Sequence, residues 1–400
     1  MISTAAAKRK KTIYTIYHYI LIGVAFLSSG HVYSVTKGNL CNYILFATLI
    51  LMLTGKVLHG IRKKKVNPKS IGIFAFIILA FIIDAVMNIL FENNFLYSIR
   101  FFSVLMFSLI FTAEMSFGEF KDIYIKCMTL ISSVALVGFV IGFFSGYYYD
   151  LPIISNVNGV SYYDAVVFFA MDDFSRGRNI GVFWEPGIFA IFIALAVLFL
   201  IFDKKKLNKL QLAVLMLTLF STFSTTGYFL IMIIVFAYVY TRKNKAAIKI
   251  VFLFITVFLV MFSIFNLNTI LNALLKLSPR VFSKLIDNSS STTARINSIM
   301  YNLEIFMKSP LWGFGLVETN MMFSKMTNGS QTSTMTLYFA QFGLTGIIYM
   351  VIHFISVIRY KKWTKLMCVL FCLAWAILLN VEIVTFFPII YIISFYFIEE

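Results

Sequence analysis

Runs of apolar residues separated by short charged stretches recur along the whole of this 400-residue chain. A helix needs roughly 20 such residues to cross the ~30 Å hydrocarbon core of a bilayer, where its backbone polar groups must pair internally. Read at that length, the sequence predicts about twelve spanning helices. They fall near residues 12–30, 40–59, 71–91, 96–114, 123–146, 186–202, 207–223, 226–241, 248–268, 333–358, 364–380 and 383–397. The first run follows a basic stretch but has no small-residue cleavage site, and further runs follow at once, so it reads as a span and not a removable signal.

Composition agrees with that reading. Hydrophobic residues make up 60% of the chain, charged residues 13%, and mean hydropathy is +0.89. Soluble domains carry about 25% charged residues, so a soluble enzyme, a disordered chain and a nucleic-acid-binding domain are excluded. The net charge of +17 sits mostly in clusters between apolar runs: Lys8 to Lys11, Arg62 to Lys65, Lys204 to Lys206, Arg242 to Lys245 and Arg359 to Lys365. That is the positive-inside pattern of loops that orient helices during insertion, and it implies no nucleic-acid partner. With the N-terminus inside, 24 of the 34 Lys and Arg are cytoplasmic, nine are external and Arg100 lies within a span. Both termini are therefore expected in the cytoplasm. Cys41, Cys127, Cys368 and Cys372 all lie in apolar runs without a CxxC pair, which reads as buried thiols and neither a disulfide framework nor a metal site.

The expected fold is an all-α polytopic membrane protein forming a single membrane domain over 1–400. N-terminal helices occupy 1–146, central helices 186–268 and C-terminal helices 333–400. Two segments, 147–185 and 269–332, are too polar to span and too long for turns. Both fall on the external side and are expected to fold as large loops with short amphipathic helices. No internal repeat of the kind found in inverted-repeat transporters is detectable.

Four polar clusters fall on the outer face. The first is Arg176-Gly-Arg178-Asn-Ile-Gly181-Val-Phe183-Trp184-Glu185-Pro186-Gly187, leading into the sixth span. Pro186 suits the first turn of a helix, Glu185 its positive end, and two arginines sit upstream of an N-terminus able to bind anions. The second, Ser221 to Tyr228, carries Ser224, Thr225 and Thr226 at the next outer helix start; ordinary capping also accounts for it. The third opens at Ser289 and places Ile296, Ile299, Met300, Leu303, Phe306 and Met307 on one face. This predicts an amphipathic helix of about four turns ending at Pro310, with Arg295 in its first turn, lying along the interface or closing over a cavity. The glycines of Leu311-Trp-Gly313-Phe-Gly315 then allow a tight turn. The fourth is Ser330-Gln-Thr-Ser333-Thr334 opening the tenth span, followed by Gly343 and Gly346 as a close-packing pair.

Asp84 and Arg100 lie at similar depths in consecutive spans, so an ion pair near the outer leaflet is expected, either functional or fixing helix packing. His18, His31, His59 and His353 adjoin no motif, and triads, zinc motifs, Walker loops and dinucleotide fingerprints are absent from the sequence.

The run Arg178-x-x-Gly181-x-Phe183-x-Glu185-Pro186-Gly187 resembles the signature of Wzy-type oligosaccharide repeat-unit polymerases, the enzymes of O-antigen (lipopolysaccharide) and capsular polysaccharide biosynthesis. The Ser/Thr turn at 221–226, Arg295 with Pro310-Leu-x-Gly313-x-Gly315, and the Ser333 to Gly346 stretch are similar in the same order. The resemblance covers about residues 147–350. It implies a glycosyltransferase of the bacterial cytoplasmic (inner) membrane working without nucleotide, metal or other cofactor. The enzyme would move a growing glycan from undecaprenyl pyrophosphate onto a sugar hydroxyl of the next lipid-linked repeat unit, alongside flippase and chain-length-regulating proteins. Related O-antigen ligases, and some polymerases, use a histidine in the later external loop; this chain has none there, which counts against a ligase and leaves the base unidentified.

Such a reaction develops negative charge on a pyrophosphate, which arginines and helix N-termini stabilise, while the acceptor hydroxyl calls for a carboxylate base. The expected catalytic residues are Arg178, Arg295 and Glu185. Arg176, Arg280, Trp184, Ser224, Thr225, Thr226 and Ser333 are expected to bind substrate. Asp150, Asp164, Asp172 and Asp173 compete with Glu185 as the base. Tyr147, Tyr148, Tyr149, Tyr162, Tyr163 and Trp184 are candidates to stack on sugars. The alternatives are an O-antigen ligase-like transferase and a transporter or flippase for a lipid-linked saccharide.

Overall fold

The computed structural model describes residues 2–58, 68–145, 150–171, 177–202, 208–241, 289–327 and 331–400. The expected span at 248–268 and the candidates Arg176, Arg280, Asp172, Asp173 and Tyr147 to Tyr149 lie outside these residues.

The described chain is mostly helical. Its helices are α1 (Ile2–Ser28), α2 (Val32–Thr36), α3 (Gly38–Leu58), α4 (Pro68–Leu90), α5 (Leu96–Glu114), α6 (Phe117–Ser145), α7 (Pro186–Phe202), α8 (Lys209–Ser221), α9 (Thr225–Thr241), α10 (Ser289–Lys308), α11 (Gly315–Met326), α12 (Thr334–Arg359), α13 (Lys365–Leu379) and α14 (Pro388–Glu399). Among the described residues five helices are long and apolar enough to cross a membrane, at Gly38–Lys56, Pro68–Leu90, Leu96–Glu114, Phe117–Gly142 and Thr334–Arg359, with shorter apolar helices beside them. This points to a multi-pass membrane protein.

Sequence decides which helices sit in the middle. Every residue of α7 from Pro186 to Phe202 is buried, as is α14 from Pro388 to Phe397. Both are apolar on all sides, and such a helix has no face to offer water. Around them, α6, α8 and α9 pack on α7, and α5, α12 and α1 pack on α14. By contrast α4 exposes Ile71, Phe74, Ile82 and Ile89, an apolar face suited to lipid.

The first large loop departs from the all-α expectation. It forms a three-stranded antiparallel sheet, β1 (Ile153–Ser155), β2 (Ser161–Asp164) and β3 (Phe169–Met171), in the order β1-β2-β3. Asn156 Oδ1 accepts the N–H groups of Asn158 and Val160, and Gly159 takes φ +79, which together turn the chain between β1 and β2. Tyr162, Tyr163 and Phe169 are buried, so these tyrosines serve the sheet and are not open platforms for sugars. The Tyr33 hydroxyl donates to both Asp164 oxygens at 2.9 and 3.1 Å, and His31 and Tyr33 meet Phe169 edge-on. Asp164 is thereby committed to docking the sheet, which removes it as a candidate base.

In the second loop α10 appears where the periodicity placed a helix, but it faces the protein with its polar side. Ser298 and Asn302 are buried, whereas Ile296, Met300 and Met307 are more than half exposed. An apolar stripe turned outward suits an interfacial helix. The short α11 follows, and the linker between the two helices is pressed into α12 at Gly343, where φ is +55 and the helix kinks. Such a break frees backbone groups that an apolar setting must re-pair. Phe314 N donates to Ala340 O at 3.0 Å and Leu344 N to Leu311 O at 3.2 Å. A Cβ at Gly343 would lie 2.6 Å from the Leu311 carbonyl, so this glycine admits a loop backbone, a closer partner than the neighbouring helix expected from sequence.

The expected Asp84–Arg100 ion pair does not form. Asp84 is fully buried and accepts from the Ser98 hydroxyl, Asn88 Nδ2 and the backbone N–H of Leu316 in the first turn of α11. The carboxylate is spent on a helix N-terminus, where a dipole and free N–H groups favour it. Arg100 instead lies over the Phe386 ring, 4.4 Å from its centroid.

Two tests follow. Gly343→Ala combines a disallowed φ with a backbone clash and should lower stability by at least about 2 kcal/mol in detergent unfolding. His31 accepts the Tyr33 N–H at 3.0 Å, and burial pushes its pKa down to about 4 against the pull of Asp164. A depressed histidine contributes stability that is complete above its unfolded value near 6.5 and is lost as pH falls toward 4. Melting temperature should therefore drop on acidification through that window, and His31→Asn should flatten the drop.

Candidate functional site

The loop from 177 to 185 is built to hold its side chains still. Asn179 does most of the anchoring. Its N–H donates to Ser221 O at 3.0 Å, its Nδ2 to Ser221 Oγ at 2.9 Å, and its Oδ1 accepts Gly181 N at 3.0 Å. Gly181 takes φ +57, and a Cβ there would strike the Phe189 ring at 2.7 Å, so only glycine fits. Phe183 is fully buried, stacked on Phe189 and Phe192 at centroid distances of 5.4 and 4.8 Å. The loop is also tied to the α1–α2 turn, with Trp184 N on Gly30 O at 3.0 Å and Val32 N on Val182 O at 2.9 Å. Glycine and phenylalanine in the motif are thus structural, and they aim Arg178 and Glu185.

Arg178 Nε donates to Thr222 O at 3.2 Å, in the turn between α8 and α9. Phe223, with φ +44, carries that turn into Ser224 at the head of α9. On the other side, α10 is clasped to the start of α12. Ser298 Oγ donates to Gln331 Oε1 at 2.7 Å and accepts Thr332 N and Ser333 N at 3.0 and 3.1 Å. Gln331 and Asn302 exchange amide hydrogen bonds at 3.0 and 2.9 Å. This clasp positions Arg295, one turn earlier on α10.

The element that closes the site is the segment between α13 and α14. Ser333, capping α12, donates to Asn380 Oδ1 at 2.7 Å. Thr334 Oγ1 donates to Glu382 O at 2.7 Å and accepts Val384 N at 2.8 Å. These bonds set Glu382 against the first turn of α7: a Cβ at Gly187 would lie 3.6 Å from Glu382 Oε1 and 3.8 Å from Ser224 Oγ. Trp184, half-buried, packs edge-on against Phe387 at 5.4 Å and braces the same segment.

Arg178, Glu185, Arg295 and Glu382 therefore form one electrostatic cluster, with Tyr228 of α9 beside Arg178. Burial holds the Glu382 carboxyl well above the carboxylate range. The neighbouring Glu185, hydrogen-bonded to it, pushes the same way, and Arg295 and Arg178 oppose. Two guanidiniums beside a carboxyl whose charged form burial disfavours suit an anion. Among the described residues no group of three or more His, Cys, Asp or Glu could hold a metal ion.

Sequence reading brought together Arg178, Glu185, Arg295, Ser224 and Ser333, and it missed Glu382. Thr225 and Thr226 open α9, Thr226 being buried. Asp150 is exposed on the sheet side of the chain. Comparison with known proteins gives no matching family model and no matching curated protein.

The raised Glu382 carboxyl has a spectroscopic consequence. At neutral pH an infrared spectrum should contain a protonated-carboxyl band that Glu382→Gln removes. A group held above its unfolded value favours the folded state below that value and loses this contribution as pH rises through its folded pKa. Stability of the wild type should accordingly decline as pH rises above about 4.5, and Glu382→Gln should lessen the decline.

Proposed function

We propose that this chain is a Wzy-type polymerase. In this reading it has about twelve spans in a bacterial inner membrane, with both termini cytoplasmic and its cluster at the outer face. It transfers a growing glycan from undecaprenyl pyrophosphate to a hydroxyl of the next lipid-linked unit. The observation that carries the reading is the convergence of Arg178 and Glu185 from one loop with Arg295 from another, joined by Glu382. These are the residue types that pyrophosphate departure and hydroxyl activation require.

The acceptor oxygen attacks the anomeric carbon of the donor as the bond from that carbon to the pyrophosphate oxygen breaks. The hydroxyl proton passes to the ionised member of the Glu185–Glu382 pair, and undecaprenyl pyrophosphate leaves with its new charge facing Arg178 and Arg295. Guanidiniums hold two phosphate oxygens at once, so lysine would be a poor replacement. Against the transporter alternative stands the use of Asp84, whose intramembrane charge is committed to the first turn of α11 and not to a path through the bundle. Against the ligase, His31 caps α2 and His353 bonds Ser394 in the bundle interior.

Purified protein in nanodiscs, given the lipid-pyrophosphate-linked repeat unit alone, should produce a polymer ladder. Arg178→Ala and Arg295→Ala should lower the rate at least about 10²-fold while remaining folded. Glu382→Gln should lower it at least about tenfold. No ladder, together with protein-dependent movement of the lipid-linked unit across liposomes, would make the transporter reading the correct one.

A further inference from the structure

The three-stranded sheet of the first loop has two unlike ends. The turn between β1 and β2, residues 156–159, is Asn-Val-Asn-Gly. The turn between β2 and β3, residues 165–168, is Ala-Val-Val-Phe and has no polar side chain. It exposes Val166 and Val167, at 67% and 58%. Its backbone is nevertheless closed on itself. Ala165 N donates to Phe168 O at 3.2 Å, Val167 N to Ala165 O at 2.7 Å, and Val166 N to Asp164 Oδ1 at 2.7 Å. A turn that pairs these N–H groups internally and shows apolar side chains suits the boundary between headgroups and hydrocarbon, where unpaired groups are costly. Val166 is also held at φ +66, a conformation that a β-branched residue keeps only where its surroundings impose it.

Phe168 fixes where this turn lies along the bundle. A Cβ at Gly138 of α6 would fall 2.6 Å from the Phe168 ring, so the ring rests directly on the helix backbone. Gly138 belongs to Phe117–Gly142, a stretch long and apolar enough to cross a membrane. Its 26 residues rise about 39 Å against ~30 Å of hydrocarbon, so a core centred on the stretch ends near residue 139. The turn therefore stands at the edge of the hydrocarbon. Beside the ring, α6 and Phe168 form an open groove of about 390 Å³, lined also by Ser133, Val134, Val137 and Ile141. Its one side-chain hydroxyl, of Ser133, is spent on Thr129 O at 2.8 Å. Val137 and Ile141 are more than half exposed, which makes the groove continuous with the apolar face that α6 turns outward.

We infer that the β2–β3 turn anchors the first loop to the bilayer. Val166 and Val167 dip into the headgroup–acyl boundary, and the groove between Phe168 and α6 seats an acyl chain of a bilayer phospholipid. Walls without a charge or a free hydroxyl suit a hydrocarbon chain and give a headgroup or a sugar nothing to bond. The anchor reaches the charged cluster through the backbone. Phe169 N donates to Gly181 O at 2.7 Å, and Tyr33 ties Asp164 to α2, so the loop bearing Arg178 and Glu185 keeps its height above the bilayer with the turn. An anchor of this kind operates whatever reaction the cluster performs.

The test uses full-length protein with its four cysteines replaced by serine, in nanodiscs of phosphatidylethanolamine and phosphatidylglycerol, spin-labelled at Val167→Cys or Asn158→Cys. Collisions with oxygen, which partitions into the bilayer, should exceed those with a water-soluble nickel chelate at 167, and the order should reverse at 158. A label at 167 that the chelate reaches as freely as one at 158 would overturn the anchor. For the groove, native mass spectrometry of the otherwise unaltered protein should find one tightly held phospholipid that Ser133→Trp loses and that added polyprenyl phosphate does not displace. Equal counts in the two proteins, or displacement by the polyprenyl chain, would overturn the phospholipid assignment. Should Ser133→Trp misfold, Val137→Trp, at an exposed position on the same groove, makes the same comparison.

Discussion

Backbone polar groups inside an apolar bundle must be paired, and the points where helices break are where this protein spends its loops. At Gly343 the freed groups of α12 are taken by the linker before α11. Between α13 and α14 the chain leaves helical geometry at 380–387, where Thr334 Oγ1 pairs with Glu382 O and Val384 N, and Ser29 Oγ accepts Ile389 N in the first turn of α14. At the α8–α9 turn, Arg178 and Asn179 do the same for Thr222 and Ser221. Each break is satisfied by a segment distant in sequence. The charged cluster is assembled from those same segments, so its geometry follows from the need to pair the backbone.

Much of this could be read from the sequence. Apolar run length located the helices, and the spacing of Arg178, Gly181, Phe183, Glu185 and Pro186 gave the main loop, with glycine and phenylalanine explained by φ +57 and by stacking on Phe189. Glu382 stayed hidden because it sits in a very short polar interval between two apolar runs. Its importance comes from a tertiary contact with α7 that no local pattern encodes. The sheet was equally opaque, since strands of three or four residues are too short for alternation to register. The Asp84–Arg100 pairing failed for another reason. Equal depth in neighbouring spans does not reveal that an external helix will present its N–H groups to the carboxylate.

Helix lengths add a point about depth. At 1.5 Å per residue the 15 residues of α13 rise about 22 Å and the 12 of α14 about 18 Å, each less than the ~30 Å of a hydrocarbon core. The segment between them, 380–387, is irregular and lined by protein, and burial there pushes the Glu382 carboxyl up.

Of the residues in the cluster, Arg178, Glu185 and Glu382 stand on backbone fastened to buried helices, whereas Arg295 rides on α10, held by the Ser298–Gln331–Asn302 clasp. In the proposed reading, a pyrophosphate engaging Arg295 together with Arg178 would also hold α10 down, so binding and docking on that side would be thermodynamically linked. In the proposed reaction the reciprocal would hold too: loosening the clasp would weaken the grip on the pyrophosphate, although none of its three residues belongs to the charged cluster.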